Sequence, residues 1–302
     1  MRVLTAHLVY PQRTDIIRIK PFFDMHLGSK LCDEDLIDKD IAEVLADPNA
    51  YAGLGGDMCD FINRGDKRFQ QSQLAPWLQG PVDDIVEAQI ERVKEKFKPL
   101  ADAGKVLFTM AGNHETSILA KYERDVYYEV TKALKRGERQ IGLGFDGFVV
   151  LYLQRGINRK APPTKKGKAV AGFTADGQGV NESWRVVLYL HHGYGGGGLE
   201  GAGPLALGRV LKHYDADVAL LGHRHSKDWI SSLELGVSPK GVIRERERVA
   251  AFCAGYKRPH RQETGPPKGG TPYEVVKGYA PKAAGCPWLR LIPAEHAVKI
   301  EH

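Results

Sequence analysis

The chain has 302 residues, 42% hydrophobic and 26% charged, with a mean hydropathy of -0.34; this excludes a disordered chain and supplies enough apolar material for a substantial core. A formal net charge of +6 and a pI near 9.0 favour anionic partners, nucleic acid among them, through long-range steering. No run approaches the roughly 18 apolar residues of a membrane span, and the opening MRVLTAHLVYPQRTD has no apolar signal core, so a cytoplasmic protein with no membrane partner is expected.

In chain order, DIIRIKPFF over 15–23 reads as a strand, and Leu36, Ile37, Ile41, Val44 and Leu45 then recur at helical spacing up to Asp47, Pro48 and Asn49. A strand over 51–54 runs into a glycine pair. After a polar loop, Val82, Ile85, Val86, Gln89, Ile90, Val93 and Phe97 mark one side of a long amphipathic helix. Further strands are expected over 105–110, 148–153, 184–190 and 218–221, and helices over 118–134 and 205–213. The alternation predicts an α/β architecture in which helices cover sheets. Beyond residue 228 the pattern turns to short strands, WISSLEL, GVIRERERVAAF and CPWLRLIP. A Gly, Pro and Lys-rich stretch over 155–183 lacks either hydrophobic period and reads as an insertion or long hairpin loop within one domain spanning 1–302. Cys32, Cys59, Cys253 and Cys286 are scattered and form no C-x-x-C pair, which argues against a zinc ribbon or a disulfide framework.

Acids, histidines and one asparagine collect just beyond the apolar strands, where ligands sit in α/β sheets. Asp24-Met25-His26 follows IIRIKPFF, and period-two alternation sends both outer side chains the same way. Gly56-Asp57-Met58-Cys59-Asp60 follows AYAGL and places a carboxylate at the strand mouth, where its two oxygens are able to bridge two cations. Gly112-Asn113-His114-Glu115 follows KVLFTM and offers a neutral carbonyl ligand beside a histidine that exchanges protons near neutral pH. His191-His192-Gly193 follows WRVVLYL, and Gly222-His223-Arg224-His225 follows DVALL. Each cluster alone has an ordinary structural reading, such as a turn acid or a helix cap. Five in succession, each at an expected strand end, point to a metal site.

This ordered series of D-x-H, G-D-x-x-D, G-N-H-E, H-G and G-H-x-H resembles the signature of calcineurin-like metallophosphoesterases from Asp24 to His225, about two thirds of the chain. HHGYGGGG and PNAYAGLGGD are similar to stretches of bacteriophage-encoded members. The resemblance implies a four-layer αββα sandwich of two mixed β-sheets flanked by helices, with the metal site at the strand carboxyl ends. It implies two divalent ions, Mn foremost with Fe or Zn as alternatives, one held by Asp24, His26, Asp57 and His225 and the other by Asp57, Asn113, His192 and His223. His114 is then the acid for the leaving oxygen, Asp60 the carboxylate that orients it, and a metal-activated hydroxide the nucleophile. His191 competes with His192 for the position beside Gly193. Two departures stand out: the stretch between Asp57 and Asn113 is long, and the basic insertion matches no general family element.

Arg64 resembles the phosphate-binding arginine of protein phosphatases, at a different spacing. Gly195 to Gly198, Gly201 and Gly203 form no P-loop and read as a loop beside the metal site. Arg155, Arg159, Lys160, Lys165, Lys166 and Lys168, then Arg244, Arg246 and Arg248, and then Lys257, Arg258 and Arg261 are candidates for phosphate-backbone contact, weighed against solvated loops and a charged edge strand. The leading expectation is a phosphodiesterase or nuclease acting on nucleic acid; the alternative is a phosphomonoesterase for phosphoprotein or small esters. A non-catalytic metal module ranks below both, because His114 and Asp60 are both present.

Overall fold

Period-two burial is clearest at the start of the chain, where Leu4, Ala6 and Leu8 point inward from β1 (Arg2–Tyr10) and Val3 and Thr5 point out. The computed structural model describes residues 1–66, 68–80, 82–156, 183–195, 201–260, 273–276, 278 and 280–301. After β1 come β2 (Ile17–Phe22), α1 (Glu34–Ala46), β3 (Ala50–Gly55), α2 (Ile85–Asp102), β4 (Val106–Met110), α3 (Asn113–Tyr122), α4 (Val126–Leu134), β5 (Gly142–Gly144) and β6 (Asp146–Arg155). The remainder holds β7 (Ser183–His191), α5 (Ala202–His213), β8 (Val218–Leu221), β9 (Trp229–Val237), β10 (Ile243–Phe252), a single turn α6 (Tyr273–Val276), β11 (Trp288–Ile292) and β12 (Ala297–Glu301). Asp33, Asp84 and Asp125 start α1, α2 and α4 by accepting backbone N–H groups of the first turn.

Among the described residues the strands form two mixed six-stranded sheets, β1-β6-β7-β8-β10-β9 and β12-β11-β2-β3-β4-β5. β2, β3, β4 and β5 run parallel, as do β7, β8 and β10, so the carboxyl ends of both parallel sets open on one region. Helices α1 and α4 lie on the second sheet, with α2 against both of them, and α5 lies on the first sheet. The layered α/β fold is as expected. The principal core includes Leu8, Ile17, Ile19, Phe22, Leu151, Leu188 and Leu220, all fully buried. A smaller apolar layer of Leu207, Tyr189 and Phe252 seats α5.

Several boundaries differ from expectation for local reasons. The helix expected over 118–134 is two, because Glu123 adopts a left-handed φ of 55° and ends α3 at Tyr122. The strand expected over 15–23 is β2, which begins at Ile17 and ends at Phe22. Pro21 is tolerated inside it because β11 pairs only with Ile17 to Ile19, beyond which a missing N–H breaks no ladder on that side. β6 and β7 pair antiparallel with Gln154 opposite Ser183, while the basic stretch between them lies outside the described residues except at its ends.

Behind the strand mouths lies a buried polar knot. Lys20 Nζ is 3.0 Å from Asp40 Oδ2 and donates to the Cys286 carbonyl, and the Tyr256 hydroxyl donates to the same Asp40 oxygen. Tyr256 N–H in turn donates to the Asp24 carbonyl. Removing one member of a buried ion pair strands the other. Lys20→Met is therefore expected to destabilise the protein by about 3–5 kcal/mol, with Lys20→Met/Asp40→Leu recovering much of the loss in urea denaturation.

Candidate metal centre

The residues after β2, β3 and β8 do not continue as strands. Asp24, His26, Asp57, His223 and His225 have φ of 50°, 51°, 47°, 68° and 50°, the left-handed region that costs non-glycine residues roughly 1–3 kcal/mol each. Period-two alternation therefore does not set these positions: left-handed residues alternate with others, folding each tripeptide across its strand mouth, and His223 and His225 enter different ligand groups. Cross-links hold these turns. Asp24, His26 and Leu27 N–H donate to the carbonyls of Gly56, Asp57 and Met58, and His223 N–H donates to Asp24 Oδ2 at 2.8 Å.

Glu115 ties two of the mouths together. It is fully buried on the first turn of α3, and its carboxylate accepts N–H groups from Asp57 at 3.0 Å, Met58 at 2.8 Å and Gly112 at 2.8 Å. Gly112 must lack a side chain: a Cβ there would lie 2.2 Å from Asp57 Oδ1. The sequence reading passed over Glu115, although a Glu three residues past a helix start is a recognisable capping signal.

Asp57 is the hub. Its Oδ1 accepts the His114 N–H at 2.9 Å, and its Oδ2 lies 3.3 Å from His192 Nε2 and 3.9 Å from Nε2 of both His26 and His114. On one side, His26 Nε2 faces His225 Nε2 at 3.3 Å, beside Asp24 Oδ1. On the other, His192 Nε2 and His223 Nδ1 converge on Asn113 Oδ1 at 3.0 and 2.7 Å. Among the described residues three overlapping groups have ligand atoms mutually within 4.8 Å: Asp24, His26 and His225; His26, Asp57 and His114; and Asp57, His192 and His223.

All seven candidate ligands and His114 are thus brought together. Asp60 divides its contacts differently from expectation: its carboxylate meets His26 Nδ1 at 3.1 Å and Lys257 at 3.8 Å, whereas His114 Nδ1 meets its backbone carbonyl. His192, not His191, enters the cluster; His191 takes the Gly193 N–H on its Nδ1 and sits edge-on to Phe145. Arg64 is exposed. Arg246 and Arg248 are engaged within the fold, by Asp215 and Asp217 and by the carbonyls of Tyr214 and Ala216.

The donor set fits cations. Asp24 Oδ1 is buried without a hydrogen-bond partner. His26 commits its Nδ1 proton to Asp60, so the neutral ring turns a lone pair toward His225 and Asp24. Burial, with Lys257 and His114 adding, lowers His26 to about 4, and burial with His26 and Lys257 lowers His225 as well. Burial also raises the Asp24 carboxyl, with the Asp57 charge adding to it. Asp57 is pushed up by burial but held well below the carboxylate range by His114, His192 and His26. His192 is opposed by burial yet raised to about 10 by Asp57, so a proton stands where the lone pairs converge.

The family model for calcineurin-like phosphoesterases matches residues 24–227, a span that contains every residue of this cluster. The chain belongs to that family. It is accordingly a hydrolase of phosphoester bonds, of a kind that works with divalent metal ions. No curated protein matches the chain. Among the described residues of this phosphoesterase, no helix is long and apolar enough to cross a membrane.

Two predictions follow from this geometry. Glu115→Gln turns an amide NH₂ against backbone donors and is expected to cost about 1–3 kcal/mol in denaturation and to weaken Mn²⁺ binding in calorimetry. In metal-free protein, the His26 contribution is present above its ordinary 6.5 and is lost as pH falls toward about 4. The His192 contribution is complete below 6.5 and is lost as pH rises toward about 10. The urea midpoint in EDTA should therefore peak between these limits; a midpoint climbing steadily from pH 6.5 to 10 contradicts the His192–Asp57 arrangement.

Proposed function

We propose that this phosphoesterase is a dinuclear phosphodiesterase acting on nucleic acid. The observation that carries the dinuclear reading is Asp57, whose carboxylate belongs to two of the overlapping ligand groups at once. One ion is assigned to Asp24, His26, Asp57 and His225, the second to Asp57, Asn113, His192 and His223. Mixed nitrogen and oxygen donors suit Mn, Fe or Zn, with Mn preferred. Ions in these positions would supply an acidified water and neutralise charge on phosphate oxygens.

The protein's own groups then have distinct tasks. Asp60 fixes the His26 ring through Nδ1, as carboxylates behind ligand imidazoles do. The Asp60 carbonyl fixes the His114 ring in the same way and leaves its Nε2 facing the cluster, placed to hand a proton to a departing oxygen. The nucleic-acid substrate rests on the net charge of +6 with the chemistry of the site. Arg246 and Arg248 contribute little to it, being spent internally.

Purified protein supplied with Mn²⁺ is expected to cleave a chromogenic phosphodiester faster than the corresponding monoester, and to degrade single-stranded or duplex DNA. Monoester turnover with no cleavage of any nucleic acid selects the phosphomonoesterase instead. His114→Ala should keep two Mn per chain by metal analysis while losing about 10²–10⁴-fold in kcat, whereas Asp57→Asn should lose metal. Full turnover by the His114 variant would remove it from the reaction.

A further inference from the structure

The first sheet ends in a hairpin that runs beyond its supports. β9 is an edge strand, and no described strand lies beyond it. Trp229 and Ser231 stand opposite Ala251 and Val249, which face the principal core. The next side chains on that face, Leu233, Leu235 and Val237, are 61%, 65% and 73% exposed, and Ile243, opposite Val237, is 70% exposed. The apolar row of β9 thus continues outward with no layer over it among the described residues, flanked on β10 by Glu247 and Glu245, which stand opposite Leu233 and Leu235. Natural edge strands are usually blunted by Lys, Pro or bulges; β9 carries Glu234 as its sole charge, no proline, and an unbroken register with β10.

The backbone is equally open. Phe252 N–H donates to the Asp228 carbonyl at one end of the hairpin, and Ser238 N–H donates to the Val242 carbonyl at the other. Even-numbered residues of β9 therefore bond to β10, and alternation leaves the N–H and C=O groups of Leu233, Leu235 and Val237 on the outer edge.

We propose that this edge pairs antiparallel with the same edge of a second copy of the chain, about a twofold axis at Leu235. The strand is self-complementary in that register. Leu235 meets Leu235, Leu233 meets Val237 of the other copy, and the outward N–H and C=O groups of all three residues find partners. The apolar side chains join into one strip in which Leu233, Leu235, Val237 and Ile243 of each copy are neighbours, and Glu245 and Glu247 of each copy lie along its outer margins, apart from those of the other copy. On the opposite face Glu234 falls beside Gly236 of the other copy, so the lone charge of the strand meets no like charge, and Arg244 of that copy is next in the row. Such a contact is isologous and closes at two chains. β1, the other edge of the sheet, would instead give open-ended head-to-tail chains.

The test uses the full-length, metal-loaded protein. Light scattering is expected to show a dimer for the wild type and a monomer for Leu235→Glu, which places two carboxylates at the axis beside Glu245 of each copy; turnover of the chromogenic ester by Leu235→Glu, unchanged, confirms that it is folded. Leu235→Cys should cross-link to itself with a short bis-maleimide, since facing Cα atoms lie about 5.5 Å apart. Leu233→Cys should not, because its copies stand four residues out of register, but should do so when mixed with Val237→Cys. A monomeric wild type overturns the proposal. So does a dimer that survives Leu235→Glu or fails to cross-link through Leu235→Cys, and open-ended oligomers would assign the edge to β1.

Discussion

Three backbone N–H groups, from Asp57, Met58 and Gly112, end on the single carboxylate of Glu115, and the position of Asp57 is set by that junction. Burial with Asp57 nearby raises the Glu115 carboxyl, an opposition that its backbone donors offset. Asp57 is thereby fixed twice, through its main chain by Glu115 and through its side chain by the His114 N–H. Around it the other mouths are tied by further backbone bonds, Asp24 to Gly56 and His26 to Asp57. Each tie offsets part of the strain held in five left-handed side-chain-bearing residues, which is how a fold sustains such conformations at a working site.

Electrostatically the groups of the centre depend on one another. Asp57 is held low by His114 and His192, and His192 is in turn raised by Asp57. His26, His223 and His225 are pushed toward neutrality by burial and by one another. Lys257 adds a fixed positive charge next to Asp60 and holds that carboxyl low against its burial. The distribution of protons follows from convergence of lone pairs, as does the capacity to take cations.

Much of this was legible in the sequence, because strand periodicity locates the strand mouths and ligands gather at them. The strands preceding Asp24, Asp57, Asn113, His192 and His223 were all placed within a residue or two. What escaped was of three physical kinds. The left-handed turns leave no periodic trace, since Asp and His occupy positions where glycine would be expected. The Glu115 junction and the Asp60 division join residues on different loops, which spacing alone does not reveal. β1, β5 and β12 lie outside the expected strands: β1 alternates over Leu4, Ala6 and Leu8, whereas β5, of three residues, and β12, of five, are too short to show a clear period. The arginines of β10 read as a basic face, but Asp215, Asp217 and two carbonyls claim the inner pair.

The second sheet supplies Asp24, His26, Asp57, Asn113 and His114, and the first supplies His192, His223 and His225, so the cage straddles the seam between them. During synthesis the earlier half is able to build its strand mouths while nothing yet answers them from across the seam. A chain that stops short of residue 192 carries only the Asp24, His26, Asp57, Asn113 and His114 half of the cage. Packing one sheet on the other is therefore also what brings the two halves of the cage together.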